Sequence, residues 1–203
     1  IPISSDDKTK FPKQIIIDAS QILFAAAVDE GRPVLTGILT EVKSEKLDLV
    51  ATDGFRLAHK TSNVDKNSKP FRMLIPKKTF EELIRCEGEE EVDEITIATL
   101  QNQIVFKIGE TTISSRLIEG TYPSWEKIIP TQIISRCMVD KDIFLKAIKL
   151  SSVFSKNEAN VTVLNTTKDG LKLSSSTKEL GSQENQIDAQ IEGEELQVAF
   201  NSK

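Results

Sequence analysis

Asp140 and Asp142 are the side chains in this sequence best placed to hold a divalent cation. A carboxylate pair with a bound metal can activate water for hydrolysis, including that of a phosphodiester. The same pair also opens an amphipathic run, where aspartates cap a helix N-terminus and oppose its dipole. Other chemistry is thinly supplied. His59 is the single histidine, which leaves few routes to imidazole acid–base catalysis, a triad or a metal cage. Cys86 and Cys137 lie far apart without a second cysteine or histidine at ligand spacing, as in a reduced cytosolic protein. Nucleophile elbow, phosphate loop, dinucleotide fingerprint and His-Glu-x-x-His motifs are all missing. Asn160-Val-Thr162 and Asn165-Thr-Thr167 fit a glycosylation acceptor pattern but fall in or beside expected strands, and the acidic run Glu87 to Glu94 reads as a solvated loop. These residues disfavour an enzyme, and no cofactor or metal is expected.

The elements that must position these residues come from a chain of 203 residues, room for one large or two small domains at about 150 residues each. With 38% hydrophobic and 28% charged residues, and no apolar run near the roughly 20 residues that span a bilayer, the composition is that of a globular, non-membrane chain. Ile1 to Pro12 lacks the layout of a signal peptide, so a cytoplasmic location is expected. A net charge of −5 argues against gripping nucleic acid by total charge, although an acidic body can still carry one basic working face.

The chain contains a repeat. Asp18-Ala-Ser-Gln-Ile-Leu-Phe-Ala-Ala-Ala27 and Asp142-Ile-Phe-Leu-Lys-Ala-Ile-Lys-Leu-Ser151 both carry helical apolar spacing, 124 residues apart. Strand-like alternation in Glu45 to Thr52 recurs in Asp169 to Ser176, with Leu47 and Leu171 again 124 apart. Turn residues stand at matching places, Lys43-Ser-Glu-Lys46 after Ile38 to Val42 and Thr167-Lys-Asp-Gly170 after Val161 to Leu164. The first copy continues through a polar loop, Thr61 to Pro70, into a strand at Phe71 to Ile75. A helix follows over Pro76 to Arg85, where Thr79 and Glu82 have capping-box spacing. Three more strands, Glu94 to Ala98, Gln103 to Ile108 and Thr111 to Leu117, complete an α+β unit of two helices packed on antiparallel sheet. By the same offset the second copy stops where its second helix would begin, so the sequence is expected to be a truncated piece of a longer, more heat-stable protein.

Three spaced motifs are distinctive: Arg32-Pro-Val-Leu-Thr-Gly37, Ala51-Thr-Asp-Gly-Phe-Arg-Leu-Ala58 and Leu117-Ile-Glu-Gly-Thr-Tyr-Pro123. Together they resemble the bacterial DNA polymerase sliding clamp family, the beta subunit of the replicative polymerase. The likeness extends at lower identity over nearly the whole chain. It implies a DNA-clamp fold, with residues 1–13 a linker from a first domain, 14–129 the middle domain and 130–203 the front part of the third. It further implies a homodimeric ring around double-stranded DNA that catalyses no reaction and tethers the replicative DNA polymerase catalytic subunit. The clamp loader and other proteins with clamp-binding motifs would dock short peptides in an apolar pocket between the second and third domains.

Carried over by motif, the pocket residues are Leu35, Thr52, Gly54, Phe55, Arg56, Leu57, Pro123, Lys127 and Ile128. Such a mix of apolar surface and a few directional polar groups suits a peptide anchor. Leu35, Leu57 and Ile128 would equally suit a core, and Thr52 to Phe55 a plain turn. Phe55 departs from the histidine often found there, and strands beyond residue 203 would contribute, so this chain is expected to bind peptide weakly. DNA contact is expected as phosphate attraction without base reading, from Lys77, Lys78 and Arg85 on the second helix and Lys141, Lys146, Lys149 and Lys156 on or near the third, with Arg32 just after the nearly neutral first helix. A solvated helix face explains any single one of these cations as well. The rivals are a metal-dependent DNA-modifying or hydrolytic α+β enzyme built on Asp140 and Asp142, and a peptide-binding scaffold without DNA contact.

Overall fold

A computed structural model describes residues 8–29, 31–66, 68–87, 92–155, 160–177 and 181–202. The chain divides into two compact units, Ile1–Ile128 and Ile129–Lys203. The first unit opens with strand β1 (Lys8–Pro12) and helix α1 (Gln14–Ser20), followed by 3-10 turns at Leu23–Ala25 and Pro33–Thr36. Strands β2 (Gly37–Lys43), β3 (Lys46–Thr52), β4 (Leu57–Asn63) and β5 (Phe71–Pro76) lead into helix α2 (Lys77–Glu87). Strands β6 (Glu94–Leu100), β7 (Gln103–Ile108) and β8 (Thr111–Arg116) and a 3-10 turn at Trp125–Lys127 complete it.

These strands form two antiparallel sheets, ordered β4-β3-β2-β5 and β1-β6-β7-β8. Alternation decides what each face meets. Ile38 and Val42 of β2 and Leu47, Leu49 and Ala51 of β3 join a core with Ile15, Ile16 and Ala19 of α1 and Phe80 and Leu83 of α2. Leu39 and Val50, on the opposite face, pack with Tyr122 and Trp125. Both faces of β2 are therefore covered, and six of its seven residues are buried. Asp18 is buried on α1 and ties that helix to β4, accepting from Ser62 Oγ and from Gln14 Nε2 at 3.2 Å, with Lys60 Nζ at 3.5 Å.

Four local expectations are corrected. The helix expected over 18–27 begins earlier and ends at Ser20. The amides of Gln21, Ile22, Ala25 and Ala26 then bond to carbonyls three residues back, which tightens the chain into 3-10 geometry. Thr79 is no cap: α2 starts at Lys77, and the buried Thr79 hydroxyl donates to Ser115 Oγ at 2.7 Å. Lys8–Pro12, assigned to a connecting segment, pairs with β6 from Lys8↔Ala98 to Pro12↔Glu94. The polar loop begins only after Asn63, because Thr61 to Asn63 still pair with β3 as part of an edge strand.

The second unit contains β9 (Ser135–Val139), α3 (Lys141–Ser155), β10 (Val161–Thr167), β11 (Gly170–Thr177), β12 (Gly181–Ile187), β13 (Ala189–Gly193) and β14 (Gln197–Asn201). Its main sheet, β12-β11-β10-β14, repeats the order β4-β3-β2-β5, which is the duplication expected from the 124-residue offset. Even the hairpin register repeats: Leu39↔Val50 and Thr40↔Leu49 return as Val163↔Ser174 and Leu164↔Leu173. The next pair of strands slips by one residue, Thr52↔Leu57 becoming Ser176↔Ser182. Helix α3 packs on β10, β11 and β12 over a small core of Ala147, Leu171, Leu173 and Ile187. Strands β9 and β13 pair separately.

Candidate functional site

The turn between β3 and β4 is built by its own side chains. Thr52 Oγ1 donates to the Arg56 carbonyl at 2.7 Å and accepts the Gly54 amide at 3.1 Å. Asp53 Oδ1 accepts the amides of Phe55 and Arg56, both at 2.9 Å, and Oδ2 accepts Arg56 Nε at 3.0 Å. An aspartate that bonds amides two and three residues ahead is a turn-former, and here it also aims a guanidinium. Gly54 has φ +91°, and a Cβ there would come 3.0 Å from Arg32 Nη1, so glycine lets the two segments close up.

Behind this turn lies a hollow of about 390 Å³, lined by Ala26, Ala27, Val28, Asp29, Arg32, Leu35, Asp53, Phe55 and Arg56. Leu35 is buried at its floor, whereas Val28 and Phe55 are 88% and 99% exposed at its rim. The Arg56 guanidinium sits 5.8 Å from the ring centre of Phe24, which is also exposed, and a cation over an aromatic face is attracted by its quadrupole. The hollow therefore offers apolar contact area between two guanidinium groups.

Residues 117–128 cross the sheet face beside it. The Leu117 amide donates to the Asn102 carbonyl and the Ile118 amide to the Leu74 carbonyl, each at 2.9 Å. Gly120 has φ +134°, and a Cβ would fall 2.5 Å from Val34 Cγ1, which accounts for the glycine in the third motif. Tyr122 donates to the Val50 carbonyl at 3.3 Å. Burial pushes its phenol up to about 12, partly opposed by a hydrogen bond with the Thr52 backbone. Trp125 lies against His59, ring centroids 4.3 Å apart.

The expected pocket residues are only partly brought together. Leu35, Phe55 and Arg56 line the hollow. Gly54 and Thr52 shape its turn, while Leu57 is half-buried against the Leu35, Tyr122 and Trp125 cluster. Pro123, Lys127 and Ile128 are exposed around the Trp125 turn and do not line the hollow. Leu35 is thus both core and floor. Sequence reading missed Phe24, Val28, Asp29 and Asp53, although the Thr-Asp-Gly turn chemistry could have indicated Asp53.

Among the expected cations, Arg32 lines the hollow rather than a helix row. Lys77 Nζ lies 3.7 Å from Glu81, and Arg85 pairs with Glu82. Lys78, Lys141, Lys146 and Lys149 are exposed, with no carboxylate within ion-pair distance among the described residues. Lys156 lies outside the described residues. Asp140 acts as a cap: its Oδ1 accepts the amides of Asp142 and Ile143 at 3.0 and 2.9 Å. Among the described residues no helix is long and apolar enough to cross a membrane.

Comparison with known proteins adds a family to this geometry. Residues 9–124 match the family described as DNA polymerase III beta subunit, central domain, and residues 126–203 match the C-terminal domain of the same subunit. The beta sliding clamp of Staphylococcus aureus (strain Mu50 / ATCC 700699) is 33% identical over 206 residues, 99% of this chain and 54% of that protein. The solved DNA polymerase sliding clamp from Bacillus subtilis superimposes with a TM-score of 0.91 at 28% identity, covering 100% of this chain and 54% of that one. DNA polymerase III beta chain from Streptococcus pneumoniae TIGR4 gives 0.91 at 26% identity, with the same coverage. The chain spans about half the length of the curated relatives it matches.

Proposed function

This chain belongs to the DNA polymerase III beta subunit family, and from that premise we propose that it is part of a DNA polymerase processivity factor. In full-length form the protein closes as a homodimeric ring around double-stranded DNA and tethers the replicative polymerase without catalysing a reaction. It works in the cytoplasm, where a clamp loader opens and closes the ring. The observation that carries this reading is the family match over two consecutive modules, joined to the repeated strand order β4-β3-β2-β5 and β12-β11-β10-β14.

The rim of Val28, Phe55 and Arg56 over Leu35 is the docking site for short peptides of the polymerase, the loader and other clamp-binding proteins. Exposed Lys78, Lys141, Lys146 and Lys149 attract phosphates, and such contacts hold DNA without reading bases. Because each contact is weak and salt-sensitive, residence comes from topology rather than affinity. The test is retention of the full-length protein, loaded onto nicked circular DNA and then washed at high salt. It stays on the circle and runs off once the circle is linearised. Equal loss from both forms refutes the ring.

A further inference from the structure

We propose that His59 is a positioning residue for the peptide site, acting through Trp125; this rests on the docking role given above to the surface around Leu35 and Phe55. Val50↔His59 and Asp48↔Thr61 are paired positions on β3 and β4, so His59 shares the sheet face that carries Val50, Tyr122 and Trp125. His59 Nε2 stands 2.8 Å from Asp48 Oδ1, and that oxygen also accepts Thr61 Oγ1 at 2.7 Å. A carboxylate can only accept, so Nε2 carries the proton and the imidazole plane is fixed. Its other contacts are Thr61 Oγ1, 3.0 Å from Nε2, and the indole of Trp125, at 4.3 Å between centroids and 46° between planes.

Trp125 depends on such contacts. Its ring is buried, yet among the described residues Nε1 has no hydrogen-bond partner, so packing and the imidazole alone hold the indole. The turn follows the ring. The Ile128 amide donates to the Trp125 carbonyl at 3.0 Å and the Lys127 amide to the Ser124 carbonyl at 3.2 Å. Asp48 thus orients His59, His59 orients Trp125, and Trp125 sets where Pro123, Lys127 and Ile128 stand on the surface. Trp125 also packs in one cluster with Leu35, the floor of the hollow, which ties the 123–128 turn to the hollow.

Trp125 is the only tryptophan, so its fluorescence reports the contact directly. In this chain, His59→Ala should red-shift and broaden the emission and speed amide exchange over 122–128. The probe for binding is the tightest of a set of synthetic peptides tiling the replicative polymerase catalytic subunit. Its affinity for the full-length protein carrying the same substitution should fall roughly two- to tenfold, the range expected for one lost aromatic contact. His59→Phe, which restores a ring without the Asp48 bond, should recover most of the emission and affinity. Unchanged emission in His59→Ala overturns the proposal, and so does altered emission with unaltered peptide affinity. If the unsubstituted full-length protein binds no peptide of the set, the docking role itself fails. Emission and amide exchange then decide the His59–Trp125 contact on their own, with unchanged exchange over 122–128 overturning it.

Discussion

Asp53 grips Arg56 at two points, accepting its backbone amide at 2.9 Å and its guanidinium Nε at 3.0 Å. Partial burial pushes the Asp53 carboxyl up, but the amides of Arg56 and Phe55 and the Arg56 charge outweigh it and hold the carboxyl below the usual range. A lowered folded-state value contributes stability that is fully present above the unfolded value of about 3.9 and is lost as pH falls through the folded one. Asp53→Asn should therefore flatten the acid side of the stability curve. Denaturant titrations between neutral pH and the acid limb check this; parallel curves for both proteins would contradict it.

Tyr122 makes the opposite prediction at high pH. Its phenol is raised to about 12, so its stabilisation is complete below the unfolded value of about 10 and disappears as pH climbs through the folded one. It is the only tyrosine, so phenolate absorbance belongs to it alone. The absorbance should rise near 12 or together with alkaline unfolding. Tyr122→Phe should cost about 1 kcal/mol at neutral pH through the lost bond to Val50 and should remove the alkaline loss of stability.

Phe55 separates binding from folding. An aromatic ring 99% exposed contributes little to the core, so Phe55→Ala should change stability by no more than about 0.5 kcal/mol. The same substitution should weaken binding of a polymerase-derived peptide several-fold, because the rim of the hollow loses its largest apolar surface. Paired thermal melts and peptide titrations distinguish the two effects. A large drop in melting temperature would assign Phe55 to the fold instead.

The two units should differ in local stability. Fully buried Phe80 and Leu83 lock α2 into the first unit's core, and Phe80→Ala should cost about 3–5 kcal/mol. In the second unit, Ile143, Leu145, Leu150 and Val153 of α3 remain about half exposed. Amides of β2 and β3 should therefore be the best protected in hydrogen exchange, and those of α3 and β14 should exchange well before them. Uniform protection across both units would refute this.

Elements with strong periodicity and clear turns could be read from the sequence. The hairpins β2–β3 and β10–β11 follow from alternation with Ser44-Glu45 and Lys168-Asp169 between them, and Ser44 and Gly170, the residue that opens β11, do take positive φ. The edge strands β1 and β4 could not. In β1 only Phe11 is buried, and β4 runs Leu-Ala-His-Lys-Thr-Ser-Asn, so neither shows an apolar face of its own. The apolar spacing of 18–27 signals burial, but the backbone answers it with 3-10 turns. The motifs located the turn that carries Phe55 and Arg56. The hollow also needs Ala26, Asp29 and Arg32 from a distant segment, and the His59–Trp125 contact joins residues that pattern alone does not bring together.

Topological tethering is measured most directly by the length of DNA made per polymerase binding event on a primed circle, with the full-length protein and its loader present. If the ring holds the polymerase through the Leu35–Phe55 surface, product length rises many-fold over polymerase alone and falls back with Phe55→Ala, even with the loader supplied in enough excess to bring the loaded amount level. Products of the same length with and without the protein would contradict the processivity role outright.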